Sequence, residues 1–169
     1  MPGTQQTWDW TGTTWTRLRP KESPPAADDA SMAYDPKTGS LVLFGGFGKF
    51  SGTSSSETWT WSGENWTLKS PKTTPPARGG AAMAFDGSTS QLLMFGGVDT
   101  GDGGTQSLGD TWEWLESDWY LPRPTNHPSA RFTSMAFDAS TKQLVLFGGG
   151  SLSSGKDFND TWLWEDQQS

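Results

Sequence analysis

The sequence predicts an all-β chain of repeated four-stranded antiparallel sheets, cored by aromatic rather than aliphatic side chains. Three observations carry that prediction. The 169-residue chain repeats its distinctive features at a period of about 51 residues, a spacing typical of stacked or radial arrays. Within each repeat, short apolar runs alternate with clusters of Gly, Pro, Asp, Ser and Thr, and no amphipathic helical period occurs. Leu, Ile, Val and Phe together make only about 15% of the chain, with 3 Val and no Ile, against 11 Trp, 9 Phe and 2 Tyr. Such aliphatic poverty marks disorder unless rings supply the core, and each ring brings roughly 150 to 250 Å² of buriable surface.

Each repeat holds four candidate strands, a to d. Strand a is Ser31 to Tyr34, Ala82 to Phe85 and Ser134 to Phe137, overlapping the Met-Ala-(Tyr/Phe)-Asp copies at 32–35, 83–86 and 135–138. Strand b is the Leu-rich run ending in Phe-Gly-Gly, with the glycine pairs at Gly45-Gly46, Gly96-Gly97 and Gly148-Gly149. Strand c is Thr-Trp-x-Trp, at 7–10, 58–61, 111–114 and 161–164; the i, i+2 spacing puts both indoles on one face of the pleat. Strand d surrounds Trp15, Trp66 or Trp119. Turn-forming stretches such as 35–40 and 86–90 join a to b, and Asp35, Asp86 and Asp138 fit Asx-type turns there. All eleven tryptophans fall on repeat positions, so core packing, rather than stacking on sugars, is the expectation for them. The glycine pairs are expected to make room for a neighbouring indole.

In order the chain reads c-d, a-b-c-d, a-b-c-d and a-b-c, thirteen strands. The expected organisation is one module over 1–169: N-terminal c-d strands at 7–19, a first blade at about 30–69, a second at about 81–121, and an a-b-c blade at about 133–165. Four-stranded units of this length read as β-propeller blades.

These residues resemble the kelch repeat, found in kelch propellers and in the central domain of galactose-oxidase-like proteins. The resemblance rests on the glycine pairs, the Trp of strand d, and Pro75-Pro76-Ala77-Arg78, which becomes Pro128-Ser129-Ala130-Arg131 in the next copy and Pro24-Pro25-Ala26-Ala27 in the first. It covers essentially the whole chain.

Propellers have four to eight blades, and three cannot close a ring. The open faces of the end blades would be apolar patches. Self-association is therefore expected, most simply two chains in a six-bladed ring, with Thr14 to Leu18 of one completing the last blade of the other. Strand c stands at both ends, and the sequence leaves open whether 7–10 or 161–164 fills the closing place.

In this strand order the b–c loops and d–a connectors share one face. The b–c loops, Phe47 to Glu57, Val98 to Asp110 and Gly150 to Asp160, differ completely in composition, and variable loops on a rigid scaffold commonly carry specificity. Phe47, Lys49 and Phe50 form the most suggestive candidate, with folding back over the neighbouring blade as the plainer alternative. Arg78 and Arg131 come next. The resemblance implies an arginine near the central channel, where it would grip a carboxylate; pairing with the acid preceding the Trp motif (Glu57, Asp110, Asp160) is the structural alternative, and Ala27 interrupts the series. Asp99-Thr100-Gly101-Asp102-Gly103-Gly104 has the look of a calcium loop without its far acidic ligand, so a solvated loop is expected. His127 reads as a surface residue.

Composition narrows function further. There is no cysteine and one histidine, so disulfides, thiolate or imidazole metal centres and the copper-radical chemistry of galactose oxidase are excluded. No cofactor, metal or catalytic residue is predicted. The net charge is −7 with scattered basic residues, which disfavours nucleic acid. No apolar run is long enough to span a membrane and no secretion signal is visible, leaving cytoplasmic as the default. The reading is a non-catalytic kelch interaction module with a protein or peptide partner. Its alternatives are a sugar-acid-binding or isomerising enzyme using Arg78 and Arg131, and a structural fragment of a larger propeller.

Overall fold

The structure, a computed structural model, describes residues 5–49, 51–101 and 103–164. Among these residues every regular element is a β-strand. A hairpin comes first, β1 (Thr7–Trp10) with β2 (Trp15–Leu18). Next come β3 (Ala27–Asp28), β4 (Ser31–Asp35), β5 (Ser40–Phe44), β6 (Phe47–Gly48), β7 (Thr58–Trp61) and β8 (Trp66–Leu68). Strands β4-β5-β7-β8 make a four-stranded antiparallel sheet, and β3 and β6 pair beside it. The pattern recurs with β9 (Ala82–Asp86), β10 (Gln91–Phe95), β11 (Val98–Asp99), β12 (Gln106–Ser107), β13 (Thr111–Leu115) and β14 (Asp118–Tyr120): β9-β10-β13-β14 form the second sheet and β11 pairs with β12. The third sheet has three strands, β15 (Phe132–Asp138), β16 (Gln143–Ser151) and β17 (Lys156–Trp164). These are meandering antiparallel blades of a partial propeller.

Register is identical in all three blades. Leu41, Leu92 and Leu144 face Trp61, Trp114 and Trp164, while Met32, Met83 and Met135 face Leu43, Met94 and Leu146. A slip of one residue would turn every indole to the other face. The a–b turns hold the register. Asp35, Asp86 and Asp138 each accept the backbone N–H two residues on, at 2.9, 2.8 and 2.9 Å.

The core lies between blades. Val42 and Phe44 of the first blade pack on Leu92, Met94, Trp112, Trp114 and Trp119 of the second. Leu93 of the second packs on Leu144 of the third, with Phe137 and Trp164 beside them. Trp119 shows how one indole joins two blades: its ring meets Phe44 edge-on at 5.4 Å and its Nε1 donates to Thr58 Oγ1 at 3.0 Å. Trp66 repeats the bond backwards, donating to Thr7 Oγ1 at 2.9 Å. Burying one such indole contributes on the order of 5 kcal/mol as an upper bound, which offsets the missing Ile and Val.

Three features depart from expectation. Trp8, Trp10 and Trp15 of the hairpin are half-exposed or more, Trp15 at 62%, because no sheet lies behind them. Core packing therefore does not extend to every tryptophan. In the third blade β16 and β17 run on past the glycine pair, pairing Gly149 with Phe158 through Ser151 with Lys156, so much of that b–c loop is a lengthened hairpin.

The glycine pairs, thirdly, make room for backbone and not for indole. A Cβ on Gly45 would strike the Arg78 carbonyl oxygen, and one on Gly96 the Arg131 carbonyl oxygen. Both glycines also sit at φ 69°, the left-handed region costly to other residues. Gly63, at φ 99°, has nothing within 4 Å of a Cβ. Gly63→Ala should thus lose about 1–2 kcal/mol from backbone conformation alone. Gly96→Ala should lose clearly more, because a backbone carbonyl cannot step aside. Urea unfolding midpoints check this, and equal losses would show that the close approach contributes nothing.

Candidate partner-binding face

The b–c loops and d–a connectors lie together on one face. β3 belongs to a connector and β6 to a loop, and they pair; in the next repeat Gly79 bridges Val98. Successive loops are also stitched to one another. Ser54 Oγ donates to Asp99 Oδ1, the Thr100 N–H donates to Ser54 Oγ at 3.2 Å, and Thr100 Oγ1 donates to the Gly52 carbonyl at 2.8 Å. The Ser107 N–H reaches Ser153 Oγ at 2.6 Å, and the Leu152 N–H reaches Ser107 Oγ at 2.9 Å. Ser54, Asp99, Ser107 and Ser153 were not foreseen as loop braces, since nothing in their spacing distinguishes them from other polar loop residues.

Phe47 is half-buried, and its ring lies against Gly79, where a Cβ would meet Cε2 and Cζ of the ring at 2.5 and 2.7 Å. Lys49 is exposed at the loop tip. Phe50, the third member of that candidate, lies outside the described residues, as does Asp102. Asp99, from the calcium-like stretch, accepts from Ser54 and from the Gly101 N–H, and no group of three metal-ligating side chains occurs among the described residues. His127 is exposed, with Nδ1 at 2.9 Å from the Pro128 carbonyl oxygen.

Arg78 and Arg131 are 0% and 1% exposed. The Arg78 guanidinium donates to the Pro76 and Gly96 carbonyls, both at 3.0 Å, and to both oxygens of Asp110 at 2.6 and 2.9 Å. Arg131 makes the same set with Ser129, Gly148 and Asp160, and its guanidinium carbon stacks 3.7 Å from the Phe158 ring centroid. The backbone of each arginine faces the other way. Gly46 N–H donates to the Arg78 carbonyl at 2.8 Å and Arg78 N–H to the Ser55 carbonyl at 3.0 Å; likewise Gly97 N–H donates to the Arg131 carbonyl and Arg131 N–H to the Leu108 carbonyl, at 2.9 Å each. Each arginine thus docks its backbone on one blade and its side chain in the next.

In the first repeat the side chain is missing. Behind Ala27 lies a cavity of about 120 Å³ bordered by Pro25, Gly45, Ser55, Glu57 and Trp59. A second, smaller groove of about 50 Å³ opens between the second and third blades, lined by Phe95, Thr111, Leu146, Trp164 and His127.

The acids of the arginine pairs respond to their surroundings. Burial alone raises the Asp110 carboxyl, but hydrogen bonds and charge from Arg78, with the Trp112 indole, outweigh it and hold it below the usual 3.8. Hydrogen bonds from Arg131 and Trp162 bring Asp160 down to about 2. A carboxyl depressed on folding stabilises above its unfolded value and loses that contribution as pH falls through its folded one. The window therefore runs from 3.8 down to about 2. Urea midpoints measured across it should fall with pH in the wild type, and less steeply in Asp160→Asn. Arg78→Ala, which strands the largely buried Asp110, should cost roughly 3 kcal/mol at neutral pH; a loss under about 1 kcal/mol would mean that the pair is no more than a surface contact.

A family model described as the KLHDC2/KLHL20/DRC7 Kelch-repeats domain matches residues 5–168. No curated protein matches the sequence. Among solved structures the chain is similar to YjhT, a kelch-type propeller, with a TM-score of 0.69 and 18% sequence identity. That likeness covers 96% of this chain and 49% of YjhT, so the chain spans about half the length of that propeller. With the family match running over nearly the entire sequence, the chain belongs to the KLHDC2/KLHL20/DRC7 kelch-repeat domain family.

Proposed function

We propose that this chain is a non-catalytic kelch interaction module that binds a protein or peptide partner on the face built from its b–c loops and d–a connectors. The observation that carries this reading is the cross-bracing of loops that differ in composition. Ser54 with Asp99, and Ser107 with Ser153, hold neighbouring loops in a fixed relation, which lowers the ordering cost of binding. The sugar-acid alternative needs Arg78 and Arg131 free in a channel. Both guanidiniums are buried and already paired within their blades, so no observation favours it.

Self-association is the second part of the proposal. The groove lined by Phe95, Thr111 and Trp164 repeats the seat that Phe44, Thr58 and Trp114 give Trp119 in the preceding blade. The chain carries one strand-d indole with no such seat, Trp15. A second copy would bring its Trp15 into the groove by adding β2 to the free edge of β17. For that, β1 is the strand to give way: it has four paired positions against one neighbour, whereas β17 has seven. At the far face, Phe147 and Leu163 are exposed at 61% and 44% and offer the matching apolar surface.

Two readouts on one preparation test the proposal. Light scattering during size exclusion should give about twice 18.4 kDa, falling towards the single-chain mass in Trp15→Ser. A wild-type monomer contradicts the assembly, and wholesale aggregation favours the fragment reading. Peptides selected on the protein should lose binding in Lys49→Glu and in a Gly-Ser replacement of 51–55. Peptides that map instead to the a–b turns on the opposite face would contradict the binding face.

A further inference from the structure

We infer that the first repeat carries a receptor for a guanidinium group, and that the arginine side chain of a partner segment occupies the cavity behind Ala27. Positions 27, 78 and 131 correspond, each following Pro-x-Ala. In the two later repeats an arginine there meets three acceptors: the carbonyl two residues back, the carbonyl of the first glycine of the pair, and the carboxylate that precedes the Trp motif. The first repeat keeps all three, as the carbonyls of Pro25 and Gly45 and the carboxylate of Glu57, but supplies no cation.

The acceptors are held in the same frame. Gly45 and Gly96 share φ 69°. Trp59 Nε1 donates to Glu57 Oε2 at 2.9 Å as Trp112 Nε1 donates to Asp110 Oδ2 at 2.6 Å, so the same indole contact positions the acid. Among the described residues, the ion pairs are those of Arg78 and Arg131, and none reaches Glu57. The cavity, about 120 Å³, is several times what one water needs.

Chemistry selects the ligand. Two carbonyls and a carboxylate bordering one cavity match the planar five-donor fork of guanidinium better than the compact ammonium of lysine, and the chain's net charge of −7 draws cations towards it. The cavity lies between a d–a connector and a b–c loop, on the face assigned above to partner binding. Only the identification of its biological occupant as a partner's arginine rests on that reading; a small alkylguanidinium shares the chemistry.

Titration followed by NMR at the Trp59 indole N–H tests the site. N-acetylarginine methylamide should shift that resonance saturably, and the lysine analogue should bind at least tenfold more weakly. Glu57→Gln should abolish the shift. Ala27→Arg should abolish it too while raising the thermal midpoint, since the new side chain finds the acceptors that Arg78 finds. Methylguanidinium separates the sources: an arginine peptide that binds at least tenfold more tightly than methylguanidinium assigns the site to a partner segment, and equal affinity overturns that assignment. No shift in the wild type, or a shift that persists in Ala27→Arg, overturns the site. Loop-binding peptides that still bind Ala27→Arg would then leave the binding-face reading standing.

Discussion

The contact between one backbone and another at the first two glycine pairs sets the spacing of this molecule. Arg78 and Arg131 bring their carbonyls so close to Gly45 and Gly96 that no Cβ fits, and the next amide, of Gly46 or Gly97, donates to the same oxygen. The side chains of those arginines are locked into the following blade by a carboxylate and two carbonyls. Inter-blade distance and blade orientation thus pass through a single residue at each joint. The indoles fill the volume that this joint defines, and Trp119 and Trp66 add a hydrogen bond to the preceding unit.

Where a neighbour exists, this scheme leaves few apolar rings in water. Trp59, Trp61, Trp66, Trp112, Trp114 and Trp119 are all buried. Where none exists, at the hairpin and on the outer face of the third blade, the same repeat positions expose Trp8, Trp10, Trp15 and Phe147. The contrast arises from stacking rather than from sequence, because each repeat presents the same pattern. These exposed side chains are the ones the proposed assembly would cover.

The strand plan was legible because phase is a strong signal: four landmarks recurring together place all thirteen blade strands. The chemistry of the joints was less legible. A glycine pair announces that a side chain is forbidden but not what approaches, so an indole was expected where a carbonyl stands. An arginine recurring in phase with an acid two blade strands further on is compatible with a channel or with a clamp, and only burial separates them. Ala27 was visible as a gap in the arginine series, but a gap in sequence does not say whether the fold closes over it. Here Glu57 and Gly45 keep their places and a cavity results. The polar braces between loops, such as Ser54 with Asp99 45 residues away, have no sequence signature at all.

Hydrogen exchange at the Gly46 and Gly97 amides tests the joint most directly. The account predicts slow exchange at both in the native protein, with Arg78→Ala releasing Gly46 and Arg131→Ala releasing Gly97, each leaving the other protected. Fast, loop-like exchange at these amides in the wild type would contradict it, because blades whose spacing is fixed at that contact cannot hold it open to water.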